Sequence, residues 1–100
     1  MLKLISLMKR KEGMTKEEFV RWATVDHAPF AREIPGLRKY VVNVAVADDA
    51  PFDAANEMWF DDEDARAAGF GSDSGKAAGA DAAAHTSERI HLKTSEHPQF

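Results

Sequence analysis

The stretch Leu37-Arg38-Lys39-Tyr40-Val41-Val42-Asn43-Val44-Ala45-Val46-Ala47 is the clearest strand of the chain, and its alternation decides the fold. Tyr40, Val42, Val44 and Val46 share one parity; Val41, Asn43, Ala45 and Ala47 share the other. Side chains alternate across a strand, so a sheet wet on one side is apolar on one parity only. Here both parities are apolar, and both faces of the sheet need cover. Toward the N-terminus, Pro35-Gly36 ends the preceding segment, and Pro29 is expected to bend or break it. That segment begins at Thr15-Lys16-Glu17-Glu18, a capping box in which the Thr hydroxyl and the Glu18 carboxylate each take an orphan amide. Its helix carries Phe19, Trp22 and Ala23 on one face. Before it, Leu2 to Lys9 is predicted as a strand, with Leu2, Leu4 and Met8 on one side and Ile5 and Leu7 on the other.

Toward the C-terminus, Asp48-Asp49-Ala50-Pro51 is a loop and Ala55-Asn56-Glu57-Met58-Trp59-Phe60 a third strand. Asp61-Asp62-Glu63-Asp64 puts acid at the start of a second helix, where the dipole favours it. Residues 65–84 are rich in Ala and Gly and broken near Gly71-Ser72, which predicts two short helical pieces. Glu88 to Lys93, with Ile90 and Leu92 expected inward, is the fourth strand. The order β-α-β-β-α-β defines an α+β, ferredoxin-like unit in which both helices cover one face of a four-stranded antiparallel sheet. The apolar second face predicts a second copy packed sheet to sheet.

A chain of 100 residues holds one domain, expected over 1–100. At this size about two-thirds of the unfolded surface is buried, so oligomerisation adds much to stability. The net charge is −4. No basic stripe for nucleic acid is present; Lys9-Arg10-Lys11 is answered by Glu12, Glu17 and Glu18. With no cysteine in the chain, disulfides, thiolate nucleophiles and Cys-based zinc sites are excluded. The apolar opening from Met1 to Met8 is far short of the about 20 residues that span a bilayer and lacks a signal-peptide cleavage site. Cytoplasmic residence, with no membrane partner, is the expectation.

His27 follows Phe19 and Ala23 at four-residue steps, which extends the buried face of the first helix. An imidazole near its ordinary pKa of about 6.5 both takes and gives protons. Asp26 points elsewhere on a regular helix and is a poor orienting partner. The plainer reading is a ring that fills space and caps a loop carbonyl before Pro29. Tyr40 is expected in the core with a hydroxyl needing a partner. Asn43, flanked by valines, is costly to bury unless bonded to a ligand or to backbone. Glu57 and Trp59 share a face of the third strand; Glu57 is either a desolvated base or the partner of Arg89 or Lys93. Phe30 and Trp59 are expected to line the pocket. His85, His91 and His97 recur every six residues, roughly 20 Å apart along a strand, so no metal site is predicted. His91 reaches Glu57 only if the register brings the two together. No P-loop, dinucleotide fingerprint or serine elbow is present, and no cofactor is expected.

Lys9-Arg10-Lys11-Glu12-Gly13-Met14-Thr15-Lys16-Glu17-Glu18-Phe19 resembles the start of EthD-like proteins, as do Asp26-His27-Ala28-Pro29-Phe30 and Ile34-Pro35-Gly36-Leu37-Arg38-Lys39-Tyr40. Glu57-Met58-Trp59-Phe60-Asp61-Asp62 and Ser95-Glu96-His97 fit the same pattern, so the likeness covers nearly the whole chain. The resemblance implies a dimeric α/β barrel, two ferredoxin-like units sharing one barrel. Relatives include methylmuconolactone methylisomerase, a cofactor-free enzyme, and fungal dehydratases and oxygenases of polyketide pathways; the family takes its name from ether degradation. The methylisomerase pattern carries a histidine and a tyrosine that match His27 and Tyr40, while its cysteine has no counterpart here. The implied function is a cofactor-independent isomerase, dehydratase or oxygenase acting on a small, largely apolar, oxygen-bearing molecule. His27 and Tyr40 would be catalytic, and Phe30, Asn43, Glu57 and Trp59 would bind substrate. The alternatives are a non-catalytic accessory protein that binds a metabolite or partner, and a haem-handling barrel.

Overall fold

A computed structural model describes residues 1–100. Its strands are β1 (Leu2–Arg10), β2 (Lys39–Val44), β3 (Ala54–Phe60) and β4 (Thr86–Ser95), and its helices α1 (Lys16–Arg21), α2 (Ala28–Arg32), α3 (Glu63–Gly71) and α4 (Asp73–His85). The strands form one antiparallel sheet in the order β2-β3-β1-β4. This is the expected ferredoxin-like fold. β2 is shorter than its alternation predicts: Ala45 N–H bonds to Asp53 in the hairpin loop at 2.9 Å, and Val46 beyond it is 96% exposed.

The capping box forms as read. Thr15 Oγ1 accepts from Glu18 N–H at 3.1 Å, and Glu18 Oε1 accepts from Thr15 N–H at 2.9 Å. The helix then widens into a π-helical turn over Trp22–Asp26, and restarts as α2 with Pro29 in its first turn. Proline has no N–H, and its ring collides with the carbonyl four residues earlier, here Val25. The break expected at Pro29 is therefore taken up by a wider turn in which His27 N–H bonds to Trp22 carbonyl at 2.8 Å. Such single wide turns recur at functional sites.

Helices and sheet meet over two apolar clusters, one of Met8, Phe19, Trp22, Ala23, Ala54 and Ala82, the other of Leu4, Ile34, Met58, Phe60 and Ala78. Phe19 and Phe60 are wholly buried, each worth roughly 1.5–3 kcal/mol of transfer free energy. α3 and α4 are capped by Asp62 and Ser72, whose side chains accept from Ala65 N–H at 2.8 Å and Gly75 N–H at 3.0 Å. The break near Gly71-Ser72 is where the two short helices meet.

On the other side of the sheet lie Ile5 and Leu7 of β1, Val41 of β2 and Ile90 and Leu92 of β4. The inward placement expected for Ile90 and Leu92 is corrected: they are 45% and 60% exposed on the face away from the helices. Register decides this. Leu92 stands opposite Ile5 and Ile90 opposite Leu7, while His91 stands opposite Ser6, which is buried under the helices.

Candidate functional site

Of the expected site residues, His27 is the most tightly built. The imidazole is 3% exposed, on the buried flank of the helix after the wide turn. Its Nδ1 lies 2.7 Å from Asp81 Oδ2 on α4, and the same oxygen accepts the Trp22 indole N–H at 3.0 Å. Indole N–H only donates, so Asp81 serves as an acceptor, and a neutral His27 carries its hydrogen on Nδ1. That leaves the Nε2 lone pair, which makes no hydrogen bond within the chain. His85, one turn beyond Asp81, lies with Nδ1 2.7 Å from the Asp81 carbonyl and stacks on Trp22 at 4.8 Å. The orienting acid that Asp26 fails to supply comes from Asp81; Asp26 is exposed.

His27 lines a small, partly open pocket of ≈ 40 Å³ between helices and sheet, together with Ser6, Met8, Phe70, Arg89 and His91, among others. This is room for about one water molecule. A neighbouring groove of ≈ 170 Å³, lined by Leu4, Arg66, Phe70, His91 and Lys93, shares Phe70 and His91 with it. Those two side chains border both pockets. His91 Nδ1 is 2.8 Å from Ser6 Oγ. Burial, and then the positive charges of Arg89 and Arg66, lower the His91 pKa from its ordinary value.

Tyr40 packs against the Leu4 cluster, whose Ile34, Met58 and Ala78 also border the cavity. Its hydroxyl is buried without a partner, and desolvation pushes its pKa up to about 12. Phe30 stacks over His27 at 6.2 Å from the outer side; it is 41% exposed and lines a surface groove with Pro29 and Glu33 rather than the cavity.

Asn43, Glu57 and Trp59 lie across the sheet from His27 and form a cluster of their own. Asn43 Nδ2 donates to Ala55 carbonyl at 2.8 Å and to Glu57 Oε1 at 2.9 Å. Glu57 pairs with Lys3, not with Arg89 or Lys93, because β3 neighbours β1 rather than β4. Lys3, and then Asn43, hold its carboxylate below the usual range. Trp59 Nε1 donates to Glu96 at 2.7 Å, with the ammonium groups of Lys3 and Lys39 each 4.8 Å from its ring centre. His91 does not approach Glu57, since the two occupy opposite faces.

Sequence reasoning missed Asp81, Ser6, Arg89 and His91 as site residues. A signal for Asp81 was there: it is a lone carboxylate inside Ala77-Ala78-Gly79-Ala80-Asp81-Ala82-Ala83-Ala84. The alternation of Arg89, His91 and Lys93 with Ile90 and Leu92 marks a polar stripe, but not which face it takes.

Fold and site together define a ferredoxin-like α+β protein with a carboxylate-held histidine in the cleft between helices and sheet. A family model for the EthD domain matches residues 11–88, and the chain belongs to that family. An EthD family protein from Bacillus halodurans is 32% identical, with 97% of this chain and 99% of that one aligned and a TM-score of 0.84. A dimeric ferredoxin-like protein of unknown function from Thermobifida fusca is 21% identical over 95% of this chain and 90% of that one, with a TM-score of 0.77. SnoaB, a cofactor-independent oxygenase from Streptomyces nogalater, shares the fold at 13% identity, with 98% and 94% of the two chains covered and a TM-score of 0.71. Comparison with curated proteins finds no match. No helix is long and apolar enough to cross a membrane.

Proposed function

We propose that this chain is a cytoplasmic, cofactor-independent enzyme of isomerase, dehydratase or oxygenase type. It moves a proton on a small, largely apolar, oxygen-bearing molecule held between helices and sheet. The observation that carries this reading is His27: buried, held at Nδ1 by Asp81 at 2.7 Å, and bordering a small pocket with Nε2 unengaged. A base so placed is oriented and shielded from water before substrate arrives. Tyr40 supplies a neutral hydroxyl for a substrate oxygen once the pocket widens. The cofactor-independent oxygenase of like fold supports the reading, and the dimeric relative of like fold supports a homodimer through the apolar sheet face. In that dimer Asn43, Glu57 and Trp59 belong to the space between the two sheets, where they contact the partner or a ligand.

The test is solvent deuterium exchange into a panel of small lactones and cyclic ketones, followed by NMR. The native protein is expected to catalyse exchange with at least one compound, and His27→Gln to lower the rate roughly 10²–10⁴-fold. Exchange at the background rate throughout, or at an undiminished rate in the variant, would overturn the enzyme. The small volume of the pocket, ≈ 40 Å³, favours a second reading, a non-catalytic protein that widens only to bind its metabolite. Binding of a panel compound without exchange is its signature.

A further inference from the structure

Two imidazoles border the same small pocket, and each makes its one hydrogen bond through Nδ1. His27 has its hydrogen on Nδ1, because Asp81 Oδ2 is an acceptor already used by the Trp22 indole. His91 reads the other way. Its Nδ1 is 2.8 Å from Ser6 Oγ, and Ser6 is 2% exposed in the middle of β1. The Ser6 hydroxyl has one hydrogen to place, and His91 is its one partner within the chain. A buried hydroxyl hydrogen without an acceptor is costly, so Ser6 donates and His91 Nδ1 accepts. A neutral His91 then carries its hydrogen on Nε2, the nitrogen left to meet a ligand. One ring offers a lone pair and the other an N–H.

Arg89 adds the second, independent observation. Arg66 and Lys93 are both tied to Glu63, and Arg38 to Asp61. Arg89 is half-buried, borders the same cavity, and pairs with no carboxylate. An uncommitted guanidinium beside a pocket favours an oxygen that carries or develops negative charge.

We propose that His91 is the electrophilic group of this site and that the substrate is an enolisable carbonyl compound: a ketone, ester or lactone with an acidic C–H beside the carbonyl. The proposal rests on the reading of His27 as the base. The C–H bond breaks and the proton passes to His27 Nε2. The electron pair forms a carbon–carbon double bond and moves the carbonyl π pair onto oxygen. The resulting enolate oxygen is held by the His91 Nε2–H and the Arg89 guanidinium. Return of the proton to the same carbon exchanges or inverts that centre, and in a β,γ-unsaturated substrate its return to the γ carbon shifts the double bond; either way neutral His27 is restored and no external oxidant or reductant is needed. Burial and the two neighbouring guanidiniums lower the His91 pKa, which keeps the ring a neutral donor rather than a charged acid.

Nitrogen NMR of the full chain at neutral pH tests the tautomers directly, with the hydrogen expected on Nδ1 of His27 and on Nε2 of His91. A hydrogen on Nδ1 of His91 would overturn the proposal. Para-nitrophenolate is the binding probe, an anionic oxygen on a small apolar ring, read by its absorbance. His91→Gln and Arg89→Leu are each expected to weaken its binding about tenfold or more. Ser6→Ala removes one small oxygen from the core and changes no charge. It is expected to release His91 into both tautomers and to weaken the probe as well. Native-like affinity in His91→Gln and Ser6→Ala would sink the assignment. Because the probe is read without turnover, failure of His27 as a base would show only in the deuterium exchange.

Discussion

At the scale of single residues, the chain places its polar groups at very different cost. Asp81 takes two donors on one oxygen, from Trp22 and His27, and an amide in its place takes them poorly. Asp81→Asn is expected to lower exchange on the order of 10²-fold or more and stability by about 1–3 kcal/mol. Nitrogen NMR of His27 and a urea melt separate the two effects, because only the lost orientation moves the ring hydrogen. Tyr40 is the opposite case, a buried hydroxyl with no partner. As the single tyrosine of the chain, its ionisation is read directly from tyrosinate absorbance, expected at about pH 12. Its folded pKa is raised above the unfolded value of about 10. The stabilising contribution is thus complete below that value and is lost as pH rises toward 12. Removing the unpaired oxygen by Tyr40→Phe is expected to raise the unfolding free energy by about 1 kcal/mol, and to slow exchange if the hydroxyl serves the substrate. Unchanged or lowered stability would mean the hydroxyl is already satisfied in the native protein.

At the scale of elements, the α3–α4 corner shows why small residues fill it. A methyl group on Gly75 would collide with the Gly69 carbonyl and the Phe70 backbone, whereas one on Gly79, a turn further along the same helix, meets nothing within 4 Å. Gly75→Ala is expected to cost about 1–3 kcal/mol through overpacking. Gly79→Ala is expected to gain up to about 1 kcal/mol of helix propensity, since its methyl meets open space. Paired urea melts decide the matter, and equal effects of the two changes would contradict the close approach. Small residues also let α3 carry Phe70 against Phe60 at 5.8 Å, where it lines the pocket beside His91. Much of this was legible in sequence: the capping box, the break at Gly71-Ser72, the interruption near Pro29. Each rests on hydrogen bonds within a few residues. That the interruption widens into a π turn was not legible, because Pro29 demands a break without fixing the form that the turn takes.

At the scale of the whole molecule, one sheet face is covered by helices and the other presents Ile5, Leu7, Val41, Ile90 and Leu92 beside the Glu57–Lys3 pair. Leu92, 60% exposed at the centre of β4, is the sharpest probe of the homodimer. Native mass spectrometry is expected to show a dimer for the native chain and a monomer for Leu92→Lys at the same concentration, since an unpaired ammonium in an apolar sheet interface is costly to desolvate. A native monomer would remove the homodimer from the proposal without touching His27, whose cavity lies on the other side of the sheet.

Element order, strand alternation on both parities, the helix cap and the burial of His27 were all determined by the sequence itself, because each follows from a period of two or about four residues. Only the tertiary structure decided the partners. Asp81 is 54 residues from His27 and Ser6 is 85 from His91, and no local period connects them. Nor does β4 reveal which of its alternating stripes faces the helices. A one-residue slip exchanges the faces, and that choice was made by pairing His91 with Ser6 beneath α4.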